Sequence, residues 1–356
     1  MRFFVWYGWK ALVAAALGSV VLPVFAQTAT SEPVVPATSP PAAAVATPVA
    51  PSHPWLPAAY RNLPADALAG VTRDPALGDA ELARQITLTR AHHPGRAQTV
   101  ARAANVRRGF LGNDIEQRFL DAELARLDLQ LAEETAHALI DLRTAATKQG
   151  STRALEALAA QGLQLINQRL AAGLATHAEL ERMTETAVKA RSLTVRAQQE
   201  RSAAAARLTA LTGAQTTDAA ATLATFNYPL RSGNPADLLD RPDVRAARLR
   251  QETRAASSAE LSAFYREVML KALEEAEGAY AAAVSARAQR TAAAADLMAA
   301  STRQAASLLA QLEAGRIGRL QHVEAEMHLR DAQLRAADAD AAYSKALATL
   351  ERALGK

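Results

Sequence analysis

Two stretches of this chain run in step. Leu170 to Gly213 opens on L-A-A-G and closes on L-T-G, while Leu312 to Gly355 opens on L-E-A-G and closes on A-L-G, a shift of 142 residues. The intervals Gly173–Gly213 and Gly315–Gly355 are both 40 residues long. Inside the first, Ala190, Ala197 and Ala204 fall every seventh residue, and Ala332, Ala339 and Ala346 hold the equivalent places in the second. A unit of this size occurring twice, with heptad spacing inside it, constrains the chain to a long helical assembly built in duplicate. It argues against a compact catalytic domain.

The first 26 residues read as a secretory signal. Arg2 and Lys10 supply the charge, Ala11 to Val21 the apolar segment, and Val24-Phe25-Ala26 a small-residue cleavage site. Eleven apolar residues ahead of Pro23 are too few to span a bilayer as a helix; the other reading of the segment is an uncleaved anchor. The chain has no cysteine, so no lipid-modified Cys can follow the cleavage site and no disulfide can form. An exported chain of this kind fits the bacterial periplasm or outer membrane. Cleavage removes two basic residues and no acid, which lowers the net charge from +4 to about +2. With no Lys/Arg runs and no interleaved aromatics, nucleic acid is not an expected partner.

Five segments follow from composition and periodicity: the signal peptide (1–26), a Pro/Ala-rich tether and coil (27–78), a first helical repeat (79–214), an irregular connector (215–240) and a second helical repeat (241–356). The tether is Pro, Ala, Thr, Ser and Val with almost no charge as far as Pro57 and cannot bury a core, so an extended, disordered chain is expected there. In the first repeat Asp79 suits an N-cap, and His93-Pro94-Gly95 should bend or interrupt the helix that follows. Gly109 to Asp114 reads as a turn. Ile115 to Ala172 reads as one helical arm of roughly 80 Å with a weak point near Gly150. Gly173 stops that arm, Thr176 caps the next, and Gly213 ends it. In the second repeat Pro242 suits a first helical turn; helix should continue to Gly315, turn through Gly318 and run to Leu354.

The expected fold class is all-α, with duplicated long antiparallel helices. Alanine at the heptad positions lets helices approach to the short end of the usual 8–10 Å range. Such seams suit helices packed side by side, as in a tube; an ordinary antiparallel bundle or elongated coiled coil is the alternative.

Several motifs resemble those of the TolC family of outer-membrane efflux and secretion channels. R-P-D-V-R-A-A at Arg241 to Ala247 is similar to the opening of that family's second repeat, and F-Y-R-E-V-M-L-K-A-L-E-E-A-E at Phe264 to Glu277 to its long helix after the second barrel hairpin. L-E-A-G-R-I-G-R-L-Q-H-V at Leu312 to Val323 resembles the tip turn, and A-L-G at Ala353 to Gly355 the usual end. The first repeat matches through Leu170 to Thr176 and Ala210 to Gly213, so the likeness spans about Asp79 to Lys356. The resemblance implies a helical-barrel unit without catalysis or cofactor, a homotrimer, and placement in a tripartite assembly with a periplasmic adaptor (membrane-fusion) protein and an inner-membrane transporter. One feature of the family is missing. Its members insert two β-strands into each repeat, here near Arg108–Phe119 and Ala256–Phe264, and about ten residues at each place cannot form two membrane strands of nine to eleven. A periplasmic coiled-coil scaffold or adaptor-binding protein that no longer conducts is therefore the alternative to a solute conduit.

No Gly-rich phosphate loop, G-x-S-x-G or H-E-x-x-H is present. His322 with Glu326 and Glu324 with His328 are i,i+4 pairs; solvated polar residues past a turn account for them, and no metal site is assigned. The two turns carry the functional expectation. Gly173-Leu174-Ala175-Thr176 and Gly315-Arg316-Ile317-Gly318 should lie at one end of the arms, which in the resembled family faces the adaptor. Leu174, Ile317 and Leu320 would be its apolar contacts and Gly173, Gly315 and Gly318 would permit close approach. Their other reading is simple chain reversal.

Overall fold

A computed structural model describes residues 78–109, 114–214, 238, 240–253 and 258–355. The expected signal peptide, the tether as far as residue 77, residues 110–113 of the first turn and nearly all of the 215–240 connector lie outside the described residues. Among the described residues the chain is helical throughout and contains no strand. The first repeat supplies α1 (Gly78–His92), α2 (Pro94–Arg108), α3 (Asp114–Ala171) and α4 (His177–Thr212). The second supplies α5 (Pro242–Thr253), α6 (Ser258–Thr291), a π-helical stretch (Ala292–Met298), α7 (Ala299–Glu313) and α8 (Arg319–Ala353).

The punctuation follows the sequence closely. His93 sits in extended backbone between α1 and α2, its Nδ1 accepting from the Arg96 N–H at 3.2 Å, and Pro94 starts α2 where no N–H is needed. Gly173, Gly213, Gly315 and Gly355 have φ of 71°, 68°, 68° and 74°. The duplicated glycines thus mark left-handed helix ends at the same places in both halves.

Three expectations need correction. α1 begins at Gly78, so Asp79 lies in its first turn and does not precede it. α3 runs through Gly150 without a break over 58 residues, about 87 Å; the glycine costs only about 1 kcal/mol against alanine, and its neighbours Gln149 and Thr152 are buried. The helix expected from Pro242 to Gly315 is several elements. α5 folds back against α6, with Gln251 Nε2 donating to Ser262 Oγ at 3.3 Å, and seven residues rich in alanine take π geometry ahead of α7. Apolar periodicity alone passes over both features, since neither contains proline and the reversal has only Ser257 and Ser258 as helix-start residues.

α3 is the central strut. α4 returns along it in antiparallel sense, with Gly162 against Met183 and Gln149 accepting from Arg201 Nη1 at 2.6 Å. α8 does the same on another side, with Gly162 against Val323 and His137 Nε2 3.2 Å from the Lys345 carbonyl. α6 and α7 pack on α8 in turn. The buried residues of α4 form a single stripe, Met183, Ala190, Ala197, Ala204, Leu208 and Thr212, which contains the alanine heptad read in the sequence. In α8 only Ala332 of the corresponding set is fully buried. Ala339 and Ala346 are half-buried, because Tyr343, Leu347 and Leu350 turn a different face to α6 and α3.

The core is thick at the end remote from the turns. Met269, Leu273, Ala276, Ala279, Ala283 and Ala286 line one face of α6, pack on α8, and belong to one apolar cluster with Leu139, Leu208, Tyr343 and Leu347. Toward the turns it thins to Leu155, Ala159 and Ala190.

A polar lock closes the thick end. Arg241, at the start of α5, has a buried guanidinium that donates to Asp243 (2.8 Å), to the Ala353 carbonyl (2.8 Å) and to Glu275. Arg352 donates to Glu275 (2.6 Å) and pairs with Glu133 of α3 (2.5 Å). Thr349 donates to Glu133 as well, at 2.7 Å. Burial by itself works against the Glu275 carboxylate, but the hydrogen bonds and charges of Arg241 and Arg352 outweigh it and hold its carboxyl below the usual carboxylate range. A depressed folded-state value stabilises the fold fully above the unfolded carboxylate pKa of about 4.3, and that contribution disappears as the pH falls through the lower folded value. Glu275→Gln should cost about 2 kcal/mol at neutral pH. Thermal melts of wild type and variant should differ between pH 7 and 5 and converge in strong acid; a constant gap down to the most acid buffer would remove Glu275 from the lock.

Candidate docking site at the helical tips

The two reversals are built alike. In the first, the Leu174 N–H donates to the Arg169 carbonyl at 2.7 Å and the Gly173 N–H to Leu170 at 2.9 Å. In the second, Arg316 donates to Gln311 at 2.8 Å and Gly315 to Leu312 at 2.9 Å. Both are Schellman closures, which need a left-handed residue at the position glycine holds. Nothing lies within 4 Å of where a Cβ on Gly173, Gly315 or Gly318 would sit. Backbone conformation, not crowding, therefore requires glycine at 173 and 315, and Gly318, with φ −83°, is not required by either.

The exits differ. Thr176 caps α4 in a full capping box: its hydroxyl accepts from the Glu179 N–H at 3.2 Å, and Glu179 accepts from the Thr176 N–H at 2.7 Å. Those bonds from the Thr176 backbone and hydroxyl hold the Glu179 carboxyl below its ordinary value. At α8 only half of the arrangement exists. Gln321 Oε1 accepts from the Gly318 N–H at 3.2 Å, and glycine has no side chain with which to reciprocate. Arg319 compensates from outside the turn: with its amide oxygen turned toward α8, Gln161 of α3 accepts from Arg319 Nε and Nη2 at 3.1 and 2.8 Å.

Both turns lie at one end of the arms. The antiparallel pairing of α8 along α3 sets the Gly315–Gly318 turn beside residues 166–169 of α3, about 7 Å short of Gly173. Leu174 is 69% exposed. Ile317 and Leu320 are half-buried, and Gly173, Thr176, Gly315 and Gly318 are open. The seven residues singled out in the sequence thus share one surface, with Leu174 as its fully presented apolar side chain. Sequence reasoning missed Arg169, whose Nη2 donates to the Leu174 carbonyl at 3.2 Å and stiffens the loop, and the Gln161–Arg319 pair. Such bonds join residues whose proximity only folding creates. His322 Nε2 is buried without a hydrogen-bond partner, and among the described residues no group of three or more His, Asp or Glu is placed to hold a metal ion.

Thr176→Ala should leave the rest of the fold intact while amide exchange in the first turn of α4 accelerates about fivefold; unchanged exchange there would show that the capping box is not formed in solution.

No protein-family model matches the chain, and no curated protein does. Solved structures do. The outer-membrane channel OprN superposes with a TM-score of 0.65 at 17% identity over 82% of this chain and 95% of that one. The outer-membrane protein VceC from Vibrio cholerae gives 0.58 at 16% identity, over 78% and 96%. The open state of the MtrE outer-membrane channel from Neisseria gonorrhoeae gives 0.60 at 15% identity, over 77% and 89%. The described residues therefore carry the fold of the TolC-type outer-membrane channels, which is the fold that the motifs of the second repeat resemble.

Proposed function

We propose that this chain is a non-catalytic, TolC-like component of an efflux or secretion assembly in the bacterial envelope, passing solutes through a conduit made by several copies. The observation that carries the reading is the pair of free edges left by the packing. α4 rests on α3 through one stripe and leaves Val188 (64% exposed) and Val195 (51%) open; α7 rests on α8 and leaves Leu309 (43%) open. The rest of both outer faces is largely polar, with Arg182, Lys189, Arg196 and Gln199 open on α4 and Arg303 and Gln304 open on α7. Edges of this kind on opposite sides of one unit suit a head-to-tail contact, α4 of one copy on α7 of the next, and such contacts close into a ring when the rotation allows. A homotrimer is the ring that the resemblance implies. The tips would then form the periplasmic mouth, where Leu174, Ile317, Leu320 and the open glycines meet a helical hairpin of an adaptor protein, itself coupled to an inner-membrane transporter.

A second reading has its own observation. α2 ends at Arg108 and α3 begins at Asp114, while α5 ends at Thr253 and α6 begins at Ser258. Neither interval holds a membrane hairpin, and no described helix is long and apolar enough to cross a membrane. A periplasmic scaffold that binds the adaptor without conducting is consistent with both facts.

Cross-linking of fractionated cells separates the two. A trimer in the outer-membrane fraction is expected for the conduit, and a soluble monomer would rule it out in favour of the scaffold. Val188→Glu with Val195→Glu should convert the purified oligomer to monomer without loss of helix. Gly318→Trp carries no conformational strain and should weaken adaptor binding about tenfold or more; binding equal to wild type would exclude the second turn from the adaptor contact.

A further inference from the structure

At the end remote from the tips, α3, α5 and α6 enclose a groove of about 370 Å³, within the size range of small-ligand sites. Its floor is the polar lock, in which Arg241 and Arg352 are balanced by Asp243 and Glu275. Its walls add three cations, Arg126 of α3, Arg250 of α5 and Lys271 of α6, against one further acid, Glu123. The side chains lining the groove thus include five cations and three acids. Arg126 and Lys271 are exposed and make no ion pair among the described residues. The Arg250 guanidinium lies over the rings of Phe119 and Phe264, 4.8 and 5.9 Å from their centroids, a stacking that fixes its position beside the groove. Leu129, Val268 and Phe264 give the groove an apolar side, and Phe264 and nearby Leu270 are partly open to solvent.

Guanidinium and ammonium groups converging on one space match an anion with several acceptor oxygens, and the apolar wall suits a ligand with a hydrocarbon part. We propose that this groove binds a phosphate group, seated between Arg126, Arg250 and Lys271, with any attached chain lying against Phe264, Leu129 and Val268. Two sources share that chemistry, the headgroup of an anionic phospholipid and a free phosphate. A lipid headgroup here would attach to a membrane the end of the molecule whose short connections leave no room for a membrane hairpin.

The exported chain, as purified from cells, is tested against vesicles of phosphatidylcholine alone, against vesicles of equal parts phosphatidylcholine and phosphatidylglycerol, and against inorganic phosphate by thermal shift. The variants are Arg126→Glu with Lys271→Glu, Phe264→Ala, and a control reversal at the tip-proximal half of α4, Arg182→Glu with Lys189→Glu. All four positions of the two reversals are exposed, so helix content should not change. Binding to the phosphatidylglycerol vesicles that falls about tenfold or more in the Arg126/Lys271 variant, and falls in Phe264→Ala, identifies the lipid source. A phosphate shift lost in the Arg126/Lys271 variant but kept in Phe264→Ala identifies the free anion. The proposal is overturned if neither probe binds, if the Arg126/Lys271 variant binds as wild type does, or if the control reversal weakens binding equally.

Discussion

The buried guanidinium of Arg241 holds the two halves of this molecule in register. A charge that sheltered is tolerable only with its hydrogen-bonding capacity used, and its partners come from three places in the chain: Asp243 beside it, Glu275 on α6 and the carbonyl of Ala353 at the end of α8. Through Glu275 the arrangement reaches Arg352, and through Arg352 it reaches Glu133 on α3. The second repeat is thereby closed on itself and fastened to the first. Gly355 fits the same constraint, since a Cβ there would stand 3.1 Å from the Arg241 Cα. The apolar cluster of α6, α8 and α3 packs around this point.

Away from the lock, alanine sets the energetics. A seam of Met183, Ala190, Ala197 and Ala204 brings α4 close to α3 but removes little apolar surface from water compared with a leucine seam. Helices this long and this lightly held keep large faces open, and exposed Val188, Val195 and Leu309 are the consequence. In the proposed assembly, neighbouring copies would supply the missing burial. The thinness that would weaken a monomer is what a wall of parallel helices around a lumen requires.

The tips illustrate a division of labour within four residues. Backbone conformation alone demands Gly173 and Gly315, whose Schellman closures reverse the chain in the same way in both repeats. The exits then diverge, a complete capping box at Thr176 and a half box at Gly318 supported by Arg319 on Gln161. The stagger of about 7 Å between the turns leaves Leu174 more exposed than Ile317 or Leu320, so the tip is an uneven surface with one prominent apolar side chain.

Local chemistry made much of this protein readable from its residues. Glycines that need positive φ, a proline that needs no N–H, a threonine three residues before a glutamate and alanines every seventh residue each act over a turn or two of helix, and so the duplicated arms, their ends and the set of tip residues could be derived from the chain. The break between α5 and α6, the π-helical stretch and the differing burial of Ala339 and Ala346 could not, because each depends on which face a neighbouring helix occupies. The same holds for the lock of Arg241, Glu275, Arg352 and Glu133 and for the cationic groove beside it. Their members are separated by up to about two hundred residues in sequence, and charge pairing at that range is fixed only when packing has already brought the helices together.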